Sequence, residues 1–197
     1  MEKFTITIAR EFGSLGRPIA KELSAMLGVE FYDRDIVEEA AQKLNMPLSK
    51  VSDEEEKSKR TIWPMMFPLG TDEDYMQDVI FQEQKEIILD LARKSSCILV
   101  GRCSYYLLAG EKNNLNVYIY APYKDRVANC VAHLGMTEHE AGKVIAQVDK
   151  ARNAYYKRYA GYLPDSPEHM HLMVDSSVLG VTGTAKHLAS MAREKFG

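Results

Sequence analysis

Residues 4–9 (FTITIA), 10–17 (REFGSLGR) and 18–27 (PIAKELSAML) read, in that order, as a strand, a glycine-bearing turn and a helix. The first segment is apolar and β-branched, and the third repeats its apolar residues at helical spacing. A turn carrying Gly13 and Gly16 at this junction can aim successive backbone N–H groups, with the positive end of the helix dipole, at one point. Such a point suits a phosphate group. Gly13, Ser14, Leu15, Gly16 and Arg17 are therefore the candidate phosphate-binding residues. Against the pattern G-x-x-x-x-G-K-[ST], Gly16 supplies the second glycine, but Glu11 stands at the first, Arg17 at the lysine and Pro18 at the hydroxyl residue. Arg17 retains a permanent charge and a bidentate grip on phosphate oxygens. Pro18 offers neither a hydroxyl for Mg²⁺ nor an N–H, although its fixed φ suits a first helical turn. On the pattern alone, phosphate binding and a plain strand-to-helix turn stay equally open.

Outward from this unit, strands and helices alternate. Residues 29–32 read as a short strand, followed by a helical stripe of Ile36, Val37, Ala40, Ala41 and Leu44 that Asn45 and Pro47 end. Residues 53–60 (DEEEKSKR) are a charge run, and residues 63–69 (WPMMFPL) are apolar but broken by Pro64 and Pro68. Segment 50–75 is the expected flap. Met65, Met66 and Phe67 within it suit a cover over ligand or a homodimer contact equally well. Met76, Val79, Ile80, Ile87, Ile88 and Leu91 predict a long helix leading into a buried strand at 97–100. A strand at 116–120 precedes a helix with the stripe Val127, Cys130, Val131 and Leu134. Thr137 and Glu140 form a capping-box signature for a helix running toward Tyr159. A last strand at 172–175 and a helix at 182–196 close the chain. Strands separated by helices predict an α/β fold, with five parallel strands and right-handed crossovers in a single domain over 1–197.

Ligands in such sheets bind beyond the carboxyl ends of the strands. Polar residues collect there: Gly13 to Arg17 after the first strand, Asp33, Arg34 and Asp35 after the second, Gly101 and Arg102 after the third, and Asp175 with Ser176 after the last. Asp35 and Ser176, taken singly, fit helix caps better than ligands. Arg102 follows a short apolar strand, so its guanidinium needs an anionic partner, either a structural carboxylate or a substrate phosphate. Arg152 lies four residues after Val148 and three before Tyr155, near the inward face of its helix, with Asp149 close enough for an intrahelical salt bridge. Tyr155, Tyr156, Tyr159 and Tyr162 recur at a spacing that suits core edges more than base stacking.

Composition sets the outer limits. With 197 residues, 46% of them apolar and a net charge of −3, the chain can bury one core and carries no basic excess of the kind a nucleic-acid polymer needs. Its apolar runs are too short to span a membrane, so cytoplasmic residence is the expected default. Cys97, Cys103 and Cys130 lack paired spacing and read as free thiols, and His169 and His171 lack partners for a metal site.

The stretches REFGSLGRPIAKELSAMLG (10–28) and VEFYDRDIV (29–37), with ILVGRCSYYLL (98–108), VYIYAPYKDRV (117–127) and VDKARNAYYKRY (148–159), together resemble the cytidylate kinase-like family. The resemblance spans nearly the whole chain. It implies a three-layer, P-loop nucleoside monophosphate kinase fold with a helical lid, here over 137–165. It also implies transfer of the ATP γ-phosphoryl group, with Mg²⁺, to a small phosphorylated acceptor, CMP or dCMP in the related enzymes. In that reading Arg17 replaces the usual lysine, Asp33, Arg34 and Arg102 serve the acceptor, and Arg152 and Arg158 reach over the transferring group. Cys103 stands where those kinases carry an acidic residue after Gly-Arg. Two alternatives remain: a nucleotide or phosphometabolite binding module without turnover, and a kinase for another small acceptor.

Overall fold

The computed structural model describes residues 2–33, 35–43 and 74–197. Five parallel strands form one sheet in the order β2-β3-β1-β4-β5: β1 (Thr5–Arg10), β2 (Glu30–Tyr32), β3 (Cys97–Val100), β4 (Asn114–Tyr120) and β5 (Leu172–Asp175). The described helices are α1 (Gly16–Leu27), α2 (Asp35–Lys43), α3 (Asp74–Lys94), α4 (Ser104–Leu107), α5 (Tyr123–Leu134), α6 (Glu138–Tyr159) and α7 (Ser176–Phe196). The expected flap up to residue 73, and Arg34, lie outside the described residues.

Both sheet faces are covered, so β1 and β3 are buried almost throughout. On one face Ile6, Ile8, Ile98 and Val117 pack against Ile19 and Leu23 of α1 and Leu188 and Ala192 of α7. On the other, Cys97 and Leu99 meet Ile36 of α2 and Ile87 and Ile88 of α3, while Ala9 and Tyr118 meet Tyr155 and Tyr156 of α6. The result is three layers, α/β/α. Of the tyrosines expected at a core edge, Tyr159 and Tyr162 sit there partly buried, whereas Tyr155 and Tyr156 lie inside the core, with Phe81 stacked on Tyr159 and Tyr105 set edge-on to Tyr156.

Two helices differ from the sequence reading. In α5 the buried residues are Arg126 and Cys130, with Val127 half-buried and Val131 and Leu134 exposed, so the inward face is turned from the expected stripe. The cause is electrostatic: Arg126 satisfies its guanidinium inside the protein, as described below. The closing helix α7 is extended at its start by a short helical stretch from Ser176, set off from the expected helix at 182–196 by a break at Gly180 (φ 63°, ψ −168°) that only glycine adopts readily. Thr137 and Glu140 form the expected capping box at the start of α6. No helix among the described residues is long and apolar enough to cross a membrane.

Candidate functional site

Strand order decides where the loops meet. Because β1 lies between β3 and β4, the loop after β1 adjoins the turn after β3, and the Gly101 amide donates to Ile8 O at 2.9 Å across that junction. The loop after β1 is sorted into two sides. Its carbonyls face the protein: Glu11 O accepts from the Ser14 hydroxyl, Phe12 O from Arg126 Nε, Gly13 O from Asn129 Nδ2, Ser14 O from the Ser176 hydroxyl and Leu15 O from the Ile19 amide. The amides of Gly13, Ser14, Leu15, Gly16 and Arg17, by contrast, donate to no acceptor among the described residues. Leu15, in the left-handed conformation at φ 59°, caps α1 without any side-chain hydrogen bond. Unpaired donors at a helix start, carrying the positive end of the dipole, are what an anion requires.

This sorting is enforced from outside the loop. Arg126 of α5 is buried; its Nε reaches Phe12 O at 2.7 Å, its Nη1 pairs with Glu11 at 3.2 Å and its Nη2 pairs with Asp149 of α6. Asp149 in turn accepts from the Phe12 amide at 3.0 Å. Asp149 therefore pairs with Arg126, and the intrahelical Arg152–Asp149 bridge that the spacing allowed as the alternative to a functional Arg152 is not formed. Gly13, at φ +81°, lies against Arg126: a Cβ there would come within 2.8 Å of the Arg126 carbonyl.

The cleft in front of the loop, about 140 Å³, is lined by Arg10, Arg17, Arg102 and Arg152, with Asp33 among them. Arg10 Nη2 pairs with Asp33 at 3.1 Å and Arg17 Nε lies 3.6 Å from the same carboxylate. Asp33 is thus a buried anion that gathers cations. Arg102 arrives by a strained route, since Gly101, Arg102 and Cys103 all have positive φ (78°, 54° and 54°). Two consecutive non-glycine residues in that region cost about 1–3 kcal/mol each and characteristically hold a functional side chain in place. Among the described residues nothing accepts a hydrogen bond from the buried Arg102 guanidinium. Burial lowers its pKa from the ordinary arginine range, an effect Tyr155 and Asp33 partly offset. Arg152, on the buried stripe of α6 with Val148 and Tyr155, donates to Arg10 O at 3.0 Å. Burial, then the neighbouring Arg10, pulls it down to about 10, so it remains a cation at neutral pH. Concentrated, poorly neutralised guanidinium groups are stabilised by an incoming anion.

The candidates divide accordingly. Gly13, Leu15, Gly16, Arg17, Asp33, Arg102 and Arg152 come together at the cleft. Ser14 belongs to the loop, but its hydroxyl is turned inward to Glu11 O and Ile119 O. Arg158 is not brought there: it pairs with Asp78 of α3 at 2.9 Å, because six residues along a helix put it on a different face from Arg152. Arg10, Arg126, Asn129 and the clamping role of Ser176 escaped the sequence reading; Arg126, four residues before Cys130, was the detectable one.

A protein-held Mg²⁺ does not fit these residues. Pro18 has no side-chain ligand atom, the Ser14 hydroxyl is committed to carbonyls, and Asp33, Glu11 and Asp149 are each paired with arginine. Among the described residues no group of three or more His, Cys, Asp or Glu is arranged to hold a metal.

The profile of the cytidylate kinase-like family matches residues 5–178. The chain belongs to that family. No curated protein matches it. An uncharacterized protein from Eubacterium ventriosum is 20% identical to this cytidylate kinase-like chain, with TM-score 0.71 and 98% of each chain covered. TT1252 from Thermus thermophilus is 15% identical, with TM-score 0.59 and 100% of each chain covered. A shikimate kinase from Acinetobacter baumannii, solved with shikimate, is 14% identical, with TM-score 0.52 over 98% of this chain and 92% of its own. At these identities the likeness is one of fold, and it assigns the cytidylate kinase-like chain to the P-loop kinase architecture.

Proposed function

We propose that this protein transfers the γ-phosphoryl group of ATP to a nucleoside monophosphate, CMP or dCMP. The observation that carries the reading is the sorted loop: the amides of residues 13–17 donate to no acceptor among the described residues, while every carbonyl from Glu11 to Leu15 is bonded. Donor phosphates would lie on those amides and on Arg17. The acceptor phosphate would lie on Arg102, in the adjoining turn after β3. An oxygen of the acceptor phosphate attacks the γ-phosphorus as the bond to the β–γ bridging oxygen breaks, and ADP leaves with that electron pair. A phosphate oxygen is already a competent nucleophile, so no general base is needed. Arg152 stabilises the charge that spreads over the transferring oxygens. Phe12, Pro18 and Leu134 give the cleft an apolar rim suited to a nucleoside. Family membership implies Mg²⁺ with ATP, an ion that the side chains lining the cleft would not hold.

A second reading, nucleotide binding without turnover, is favoured by Pro18 and the inward Ser14 hydroxyl, which leave the hydroxyl position of the loop empty of function. A coupled assay of ADP release, run with ATP and Mg²⁺ over the common nucleoside monophosphates and shikimate, separates these readings. Turnover with CMP or dCMP supports the kinase. Turnover with another acceptor changes the substrate, and thermal stabilisation by ATP without any turnover selects the binding module.

A further inference from the structure

Arg10 has a placement that no phosphate-loop pattern asks for. Its side chain leaves the end of β1 and passes between two glycines: a Cβ on Gly16 would lie 2.9 Å from its Cβ, and a Cβ on Gly101 would collide with its Nη1. Both loops are cut away at the point where one guanidinium crosses from the amide loop to the Gly101–Arg102 turn. Asp33 occupies only its Nη2; Nε and Nη1 donate to no acceptor among the described residues. Around it stand Arg17, Arg102 and Arg152, and the nearby carboxylates are already paired.

We propose that Arg10 is an anion-binding residue bridging the two phosphate positions, and that with Arg17, Arg102 and Arg152 it neutralises a polyphosphate in place of a divalent cation. The inference shares with the kinase reading only the class of ligand. A cation riding on the polyphosphate cancels part of the charge the arginines recognise and places positive charge beside their guanidinium groups. The cleft therefore prefers the metal-free anion.

Calorimetric titration of the full chain with inorganic tripolyphosphate, and with ATP, in EDTA and in excess Mg²⁺ tests this. The expected result is a Kd in EDTA equal to or below that in Mg²⁺, with Arg10→Gln weakening tripolyphosphate at least tenfold, about 1.4 kcal/mol, and Arg10→Lys recovering part of the loss. Tighter binding in Mg²⁺ than in EDTA, no binding in either, or a folded Arg10→Gln variant that loses less than tenfold would overturn it. Should that variant not fold, the wild-type comparison decides. The kinase reading fails separately: metal-free binding without turnover removes it and leaves this inference standing, whereas turnover with Mg²⁺-dependent binding does the reverse.

Discussion

Replacing Arg126 with methionine should cost both stability and phosphate affinity, although Arg126 does not line the cleft. The substitution keeps much of the side-chain volume and removes the Nε bond to Phe12 O and the ion pairs to Glu11 and Asp149. Breaking a buried ion pair from one side costs roughly 3–5 kcal/mol because the other charge is stranded. Here the stranded carboxylates, 27% and 26% exposed, recover part of their hydration, which brings the figure down. Adding about 1 kcal/mol for the lost bond to Phe12 O gives a net destabilisation of about 3 kcal/mol. The Phe12 carbonyl is then released, the neighbouring peptide planes can rotate, and the amides of residues 13–17 no longer converge. ATP affinity should fall by tenfold or more, about 1.4 kcal/mol, with Arg126→Lys losing less on both counts. Urea titrations give the first quantity, and calorimetry at a temperature where the variant is folded gives the second. A destabilised variant that binds ATP like the wild type would refute the idea that clamped carbonyls aim the amides.

Three further outcomes are expected. Arg102→Ala should act mainly on the acceptor KM and Arg152→Ala mainly on kcat, each by about 2–4 kcal/mol, and wild-type kinetics in both stable variants would return them to structural roles. Burial pushes the Cys97 thiol up to about 11 and the Cys103 thiol up to about 12 from 9.0, so above pH 9 the unfolded chain holds fewer protons than the native one. Stability should then fall as pH rises from 9 to 11, and equal urea midpoints at pH 8 and pH 10.5 would contradict this. ATP analogue plus CMP should reduce hydrogen exchange in segment 137–165 more than either ligand alone; unchanged protection at saturation would argue for a rigid module.

What the sequence made legible is what short-range physics decides. A β-branched run marked β1, a short apolar run marked β3, the capping-box pair marked the start of α6, and alternation of strands with helices implied the parallel sheet. Arg152 could be placed inward because a helical stripe has one phase. What stayed hidden depends on partners distant in sequence. Nothing local to Arg126 announces Glu11 and Asp149, or to Asn129 announces Gly13 O. Ser176 read as a helix cap, whereas it is Asp175 that caps α7 and Ser176 that holds Ser14 O at 2.7 Å. Arg10 carries no signal of its own, because a phosphate-loop pattern places no cation at the end of a strand.

The bond from the Phe12 amide to Asp149 gives this protein a built-in spectroscopic handle. An amide proton held by a carboxylate resonates apart from one held by water, and this proton belongs to the loop while its acceptor belongs to α6. Its chemical shift consequently reads the separation of two elements in a single peak. ¹⁵N labelling at phenylalanine would let that peak be followed through a nucleotide titration without attaching a dye or altering a residue.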